Sequence, residues 1–348
     1  MRVIPIEMVK PGMKLAKALF RDEDGRVLLR VNVELKPSYI QRIIDLKYTY
    51  VYVYDSCEVE PDINEMEPVS EEVLFKARLM VQKIFKLLKQ DAMVDVGHTR
   101  KIIAEMVNQV FANPEIIYNL VDTRSLQSYV YAHCVNVCVI SLMIGLVMGL
   151  NRREMETLGV GALLHDVGKT LINPELLNKP VELNAKEFEV IRKHARDGYE
   201  LLKKKANINF LSAHVALQHH EREDGSGYPR GLTGHRIHRF SKIVAVADTY
   251  DAMTSHGLHR KGMLANNALR AIKAEAGQKY DQAVVEAFLK VMAPYPLGST
   301  LLLNNGETAV VIKATRRECL VKVMAGGEEG ALHDLHLDRQ LTVVKSSN

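Results

Sequence analysis

The sequence predicts a mainly α-helical protein, with a small α+β module before a helical bundle and a short β appendix after it. Three observations predict this fold class. In the middle of the chain, apolar residues recur at intervals of three and four, the period of a helix with one buried face. Near both ends, short alternating runs are separated by glycine, asparagine and proline turns, as in β structure. The 348 residues suit two or three domains rather than one.

The N-terminal module is predicted over residues 1–56. Residues 27–29 follow an Asp-Gly turn and have the apolar character of a strand. Residues 37–46 have helical spacing, and residues 48–54 alternate tyrosine and valine. We therefore expect a small β-rich unit that contains one helix.

A linker and then the bundle follow. Residues 57–70 are acidic, contain two prolines and are predicted to form the linker, and residues 71–293 form the bundle. Ser70 is expected to start the first bundle helix, because its hydroxyl can accept from an unsatisfied amide. Asn113-Pro114 is expected to open another helix. Further helices are predicted over residues 128–149, 152–165, 185–205, 211–219, 241–254, 266–276 and 281–291.

The chain ends in a predicted β appendix over residues 294–348. Two prolines mark its start, and the residues that follow lose the helical period. Asn-Asn-Gly, Arg-Arg and Gly-Gly turns separate the short apolar runs from one another. The runs expected to form strands are residues 299–303, 308–313 and 319–323.

One apolar segment is long enough to cross a membrane. Tyr129 to Leu150 contains no charged residue. It does contain His133 and Asn136, whose polar groups would need partners inside lipid. A helix at the centre of a bundle is also apolar all round, so we predict a buried helix rather than a membrane span. Residues 142–150 of this helix can contribute either to the core or to a homodimer contact.

Charge and cysteine usage limit the partners and the compartment. Lys plus Arg number 46 and Asp plus Glu number 42, for a formal charge of +4. This balance provides no broad basic field for polymeric nucleic acid. The first ten residues lack the apolar core and cleavage site of a signal peptide. The four cysteines show no metal-binding or disulfide framework and are predicted to be reduced. We expect a cytoplasmic protein without membrane or polymeric nucleic-acid partners.

Five histidines and two aspartates form a candidate metal site. The adjacent His165-Asp166 pair can offer a nitrogen to one metal ion and a bridging carboxylate to a second. Two cations held about 3.5–4 Å apart activate water and neutralise charge on phosphate oxygens. Asp248 ends an apolar run, where a buried carboxylate is costly unless a cation or hydrogen-bond donors compensate it. The candidates are His133, His165, Asp166, His194, His219, His220 and Asp248.

Taken singly, some of these residues have another interpretation. A lone histidine on an apolar helix, such as His133, is more often an ordinary core residue. His194 follows an amphipathic run and would alone be more often a surface histidine. The seven residues together favour a metal site.

The order of the motifs resembles the HD-GYP subgroup of the HD phosphohydrolase superfamily. The similarity covers about residues 128–289, and its Gly-Tyr-Pro run after a double histidine is highly specific. The N-terminal module also resembles the small domain often found ahead of HD-GYP domains. The matching motifs are His165-Asp166-x-Gly168-Lys169, Asn178-Lys179-Pro180, His194, His219-His220-Glu221-Arg222-x-Asp224-Gly225-x-Gly227-Tyr228-Pro229-x-Gly231-Leu232 and Asp248-x-Tyr250-Asp251-Ala252-Met253-Thr254.

The resemblance implies an HD-domain bundle that hydrolyses cyclic di-GMP to linear pGpG, and to GMP after a second cut. It implies a centre of two divalent metal ions, iron or manganese, held by the seven candidates with Asp166 as the bridge. Lys169 would face the substrate phosphate, the alternative being a solvated lysine at a helix end. Tyr228 would shape a substrate-binding loop over the site, where the bare sequence suggests an ordinary turn.

Two positions depart from the family pattern. Some members carry a glutamate one turn before the first histidine, which allows a third metal; Tyr129 stands there, so a binuclear site is favoured. The arginine that usually helps to grip the dinucleotide is replaced by Gly257. Arg260 lies close enough to replace it in part as a substrate-binding residue, the alternative being a plain surface arginine. Two other functions therefore stay open: a catalytically weak cyclic-dinucleotide sensor, and an HD phosphohydrolase with a different nucleotide substrate.

Overall fold

The computed structural model describes residues 2–20, 27–46, 48, 50–54, 67–118, 129–177, 179, 183–255, 262–338 and 340–347. The α-helices in this part of the chain are α1 (Pro37–Asp45), α2 (Glu71–Lys89), α3 (Gly97–Ala112), α4 (Tyr129–Val147), α5 (Arg152–Leu163), α6 (Pro174–Leu177), α7 (Ala185–Lys205), α8 (Phe210–Gln218), α9 (Arg239–Thr254), α10 (Ala265–Ala274) and α11 (Gln282–Leu289). The strands are β1 (Arg2–Pro5), β2 (Lys14–Leu15), β3 (Leu19–Phe20), β4 (Val27–Leu29), β5 (Tyr50–Tyr54), β6 (Thr300–Leu303), β7 (Thr308–Ala314), β8 (Cys319–Ala325), β9 (Leu332–Asp334) and β10 (Val343–Ser347). The predicted fold class, mainly α with β structure toward both ends, is confirmed.

Helix α4 is the centre of the bundle. Helices α2, α3, α5, α9 and α11 pack around it. By length and composition alone, its window Val130–Val147 is apolar enough to cross a membrane, but 78% of that window is buried inside the fold. Leu142 and Ile144 lie in the chain's own core. Cys134 and Cys138 on this helix are buried free thiols, as predicted. The apolar character of α4 therefore follows from its central position.

The turn after α5 packs directly on α7. This turn carries His165 and Asp166 and continues into a 3₁₀ turn over residues 167–171. A Cβ atom at Gly168 would lie 2.0 Å from the carbonyl oxygen of His194, so no other residue fits there without moving the backbone. The close packing that this glycine allows thus places His165 and Asp166 of the turn next to His194 on α7.

The strands form small antiparallel sheets. Strands β1, β5 and β2 form one sheet in the order β1-β5-β2, and strands β6 to β10 form another in the order β10-β6-β7-β8-β9. Tyr52 of β5 shares one apolar cluster with Leu301 and Val321 of the second sheet. The two β regions, far apart in sequence, therefore share a core. The domain boundaries stay a prediction.

Two local predictions in the bundle need correction. Asn113-Pro114 does not open a helix: α3 ends at Ala112, a turn follows at residues 114–115, and Ile116 and Tyr118 form isolated β-bridges. The amide of Tyr118 donates to the carbonyl of Val291 at 2.8 Å, so this segment pairs with a distant part of the chain. Ser70 does precede α2, but its side chain makes no capping hydrogen bond. The hydroxyl accepts from the Gln109 side chain instead.

Candidate metal centre

The structure brings the seven candidate ligands into one buried cluster. They come from α4, the turn after α5, α7, the end of α8, and α9. Six of them are at most 8% exposed, and the side chain of the seventh, His220, is 17% exposed. A cluster of this burial and composition requires that its charges be compensated internally or by a bound cation.

The candidates fall into two groups, and in each group the potential ligand atoms lie within 4.8 Å of one another. We name them after one member each. The His133 group is His133, His165 and Asp248. The His194 group is Asp166, His194, His219 and His220.

Asp166 belongs to the His194 group but also lies next to the histidines of the His133 group. Its Oδ1 is 3.4 Å from Nε2 of His194 and 3.8 Å from Nε2 of His219. Its Oδ2 is 3.6 Å from Nε2 of His133 and 3.5 Å from Nε2 of His165. One carboxylate oxygen therefore faces each group, which is the arrangement that a bridging ligand needs.

Backbone carbonyls orient three of the imidazoles. The Nδ1 atoms of His165, His194 and His219 each donate to a carbonyl three residues earlier, at 2.8, 2.6 and 2.9 Å. A carbonyl only accepts, so Nδ1 carries the proton and Nε2 keeps its lone pair. Each of these lone pairs is thereby available to a cation in the cluster.

A carboxylate orients His133 instead. Its Nδ1 lies 2.7 Å from Oδ2 of Asp251, which is fully buried. Asn136 donates to the other oxygen of Asp251 at 2.5 Å, and Tyr118 donates to Asn136 at 3.1 Å. Asp251 lies within one of the family motifs in the sequence, but the sequence alone predicted no role for it. Asp251 lies three residues after Asp248 on α9, and residues at this spacing are neighbours on one face of a helix. This spacing was the sequence feature that pointed to Asp251.

The protonation states of the cluster suit a divalent cation. Burial lowers the pKa of His219 and His220 well below its usual value, and neighbouring imidazoles add to this effect. Burial alone would raise the pKa of Asp166, but Lys169 and nearby histidines hold it well below its usual range. Oδ1 of Asp166 and Nε2 of His165 are buried without a hydrogen-bond partner in the described part of the chain. Neutral imidazoles and ionised carboxylates are the forms that bind metal, so these residues can hold one.

His133 differs from the other histidines. Burial lowers its pKa, but hydrogen bonds to Asp248 and Asp251 outweigh burial and raise the pKa to about 10. Its Nε2 lies 3.0 Å from Oδ1 of Asp248. The two carboxylates thus favour positive charge on this ring, and a bound cation would supply that charge in place of the proton on Nε2.

A family model described as HD domain matches residues 101–284, more than half of the chain. The chain belongs to the HD domain family. The matched segment contains all seven candidate ligands, and the HD resemblance drawn from the sequence is confirmed.

The chain is also similar to named relatives. It is 32% identical over 245 residues to a cyclic di-GMP phosphodiesterase from Pseudomonas aeruginosa, covering 70% of this chain and 59% of the relative. It is 31% identical over 202 residues to 3'3'-cGAMP-specific phosphodiesterase 2 from Vibrio cholerae, covering 57% of this chain and 38% of the relative. The chain thus matches only part of each relative's length.

A solved structure shares the fold. A HDG"Y"P protein from Bdellovibrio bacteriovorus superimposes with a TM-score of 0.51 and 15% sequence identity. The match covers 82% of this chain and 97% of that one. At this identity the likeness shows the fold alone.

Lys169 lies at the open side of the HD-domain cluster. Its Nζ is 2.5 Å from Oδ2 of Asp166, and its side chain is 26% exposed. Burial lowers the pKa of Lys169, but the carboxylates of Asp166 and Asp248 outweigh it and raise the pKa. The side chain therefore carries a positive charge at the edge of the site.

Tyr228 packs against the His194 group. Its ring stacks on that of His220, with 4.5 Å between ring centroids. The buried carboxylate of Glu221 shapes this loop by accepting from the backbone amides of Arg230 and Leu232, both at 2.9 Å. This role of Glu221 was not predicted from the sequence, although its position directly after two histidines was a signal.

Some residues of interest lie outside the described part of the chain. They are Arg260, predicted to bind substrate, and Gly257; nothing is described of the side chain of Tyr129 either. Near Tyr228 the structure shows an arginine that the sequence analysis did not single out. The guanidinium carbon of Arg192 lies 5.0 Å from the centre of the Tyr228 ring.

Proposed function

We propose that this HD domain hydrolyses a 3′–5′ phosphodiester bond of cyclic di-GMP to give linear pGpG, and GMP after a second cut. The observation that carries the proposal is Asp166, whose two oxygens face the two ligand groups. A carboxylate shared in this way suits two cations that act on one phosphodiester. The relative named a cyclic di-GMP phosphodiesterase supports this choice of substrate.

The seven residues of the two groups are the proposed ligands. The His133 group would hold one cation and the His194 group the other, with Asp166 as the bridge. When bound, two divalent cations supply positive charge to the phosphate oxygens and activate water. Imidazole and carboxylate donors suit iron and manganese, which we propose as the native metals. Tyr129, in place of a carboxylate, favours two metals over three.

Residues at the edge of the cluster would bind the substrate. Lys169 carries an ammonium next to Asp166 and would donate to an oxygen of the phosphate being cut. Burial raises the pKa of Tyr228, so its phenol stays protonated and would donate a hydrogen bond. Hydrolysis adds one water across the bond between phosphorus and the 3′ oxygen: the hydroxyl goes to phosphorus and the proton to the leaving oxygen.

A second candidate substrate is 3'3'-cGAMP. The Vibrio cholerae relative is named for this dinucleotide, and it matches the chain at nearly the same identity as the first relative. Both substrates have the same phosphodiester ring and differ in one base. The cytoplasmic location and the homodimer contact stay predictions.

Anaerobic reconstitution of the full chain tests the proposal. The protein is loaded with Fe(II) or Mn(II), its metal is counted, and digests of both dinucleotides are separated by chromatography. We expect about two metals per chain and a linear product, while Asp166→Ala serves as the inactive control. Two metals and dinucleotide binding without any product would replace the proposed activity with the sensor function.

A further inference from the structure

Arg192 is joined to the metal cluster by a stack of side chains. It lies on α7, two residues before His194. Its guanidinium carbon is 4.7 Å from the centre of the Phe188 ring and 5.0 Å from that of Tyr228. Tyr228 in turn stacks on His220, a proposed ligand. The cation therefore has a defined position beside the site.

The N–H donors of Arg192 have few strong hydrogen-bond partners among the described residues. Nη1 bonds to Glu189 at 2.8 Å, but the Glu189 side chain is 65% exposed, and such surface pairs exchange easily. Nε is buried and has no acceptor among the described residues. The side chain as a whole is 37% exposed. A guanidinium stacked on rings keeps its N–H donors in its plane, where they can bind an anion.

The proposed substrate supplies such an anion. A cyclic dinucleotide carries two phosphodiesters in one ring, and the metal cluster acts on only one of them at a time. Lys169, held against Asp166, is the residue proposed to bind the phosphate being cut. We infer that Arg192 binds and positions the other phosphate, which makes it a specificity-determining residue for cyclic dinucleotides over simple phosphodiesters. This inference rests on the proposed function.

The test compares two substrates in one variant. Arg192→Met keeps the length of the side chain but removes its charge. Cyclic di-GMP has two phosphates, whereas bis(p-nitrophenyl) phosphate has one. We expect the KM of the Mn(II)-loaded protein for cyclic di-GMP to rise about tenfold, with kcat, metal content and bis(p-nitrophenyl) phosphate kinetics unchanged.

Two further variants sharpen the test. Arg192→Lys keeps the charge without the planar donor edge and is expected to recover part of the affinity. Arg196→Met removes an exposed arginine about one turn later on the same helix and is expected to behave as wild type.

Four outcomes would overturn the inference. An equal loss of activity on cyclic di-GMP and on bis(p-nitrophenyl) phosphate in Arg192→Met would indicate a structural role for Arg192. A loss for cyclic di-GMP but not for cyclic di-AMP would indicate recognition of the base. Unchanged kinetics in Arg192→Met, with an active wild type, would remove only this inference. If the wild type neither binds nor cuts any cyclic dinucleotide, the proposed function fails and the inference falls with it.

Discussion

The two ligand groups differ at one imidazole. Behind His133 is the carboxylate of Asp251, whereas backbone carbonyls lie behind His165 of the same group and behind His194 and His219 of the other. Hydrogen bonds to Asp248 and Asp251 outweigh burial and raise the pKa of His133 to about 10, whereas burial lowers the pKa of His219 well below its usual value. A carboxylate behind an imidazole makes it a stronger ligand. The His133 group thus has a second carboxylate directly behind one of its candidate ligands, whereas Nδ1 of His194 and Nδ1 of His219 bond to neutral carbonyls.

The variant Asp166→Ala breaks both halves together, and we expect the largest effect from it. It deletes the carboxylate that faces both groups and leaves the surrounding imidazoles unbalanced. Both metals should be lost, and hydrolysis should fall by at least about a thousandfold. Metal analysis and a turnover assay measure this, with Asp45→Ala on the exposed face of α1 as the control. Full metal content in Asp166→Ala would contradict the bridging assignment.

The variant Asp251→Asn weakens only the His133 half. It removes the negative charge behind His133, and losses of this kind typically lower metal affinity about 10- to 100-fold. A metal titration should therefore show one weakened equivalent and one that is unchanged. Tyr118→Phe, which alters the far end of the same hydrogen-bond chain, should have a much smaller effect. Equal weakening of both equivalents would mean that the two halves are not independent.

The variant Lys169→Met tests the charge at the edge of the cluster. Metal content at neutral pH should stay at the wild-type value, while kcat falls about tenfold on both cyclic di-GMP and bis(p-nitrophenyl) phosphate. Lys169 also helps to hold the pKa of Asp166 down, so its removal raises that pKa. Protons then compete with the metals at a higher pH, and the acid midpoint of metal release should move up. Metal loss at neutral pH would instead make Lys169 part of the binding site.

The variant Glu221→Gln perturbs the loop beside the His194 half, and we expect its effect to be the smallest. An amide can replace only one of the two oxygens that accept from the loop backbone. The substitution should therefore destabilise the loop by about 1–3 kcal/mol. We expect a KM increase of about threefold and unchanged metal content. Ser226→Ala, at an exposed position of the same loop, is the control. Loss of one metal would show that the loop also supports the ligands.

Residues that support the candidate ligands were harder to predict from the sequence than the candidates themselves. Asp251 bonds to His133 across 118 positions of sequence, so no local pattern links the two. Arg192 likewise contacts a ring in a distant loop, that of Tyr228, and its proposed role depends on that contact. The prediction of a helix at Asn113-Pro114 was wrong because of another contact distant in sequence: the backbone of Tyr118 pairs with Val291.

The sequence by itself determined the types of the elements and the set of candidate metal-binding side chains. Periodicity and side-chain chemistry are local properties, and they can be read one segment at a time. Only the tertiary structure decided how the seven residues divide into two groups and that Asp166 presents one oxygen to each. Distances between residues on different helices depend on how those helices pack around α4, and packing is a property of the whole fold.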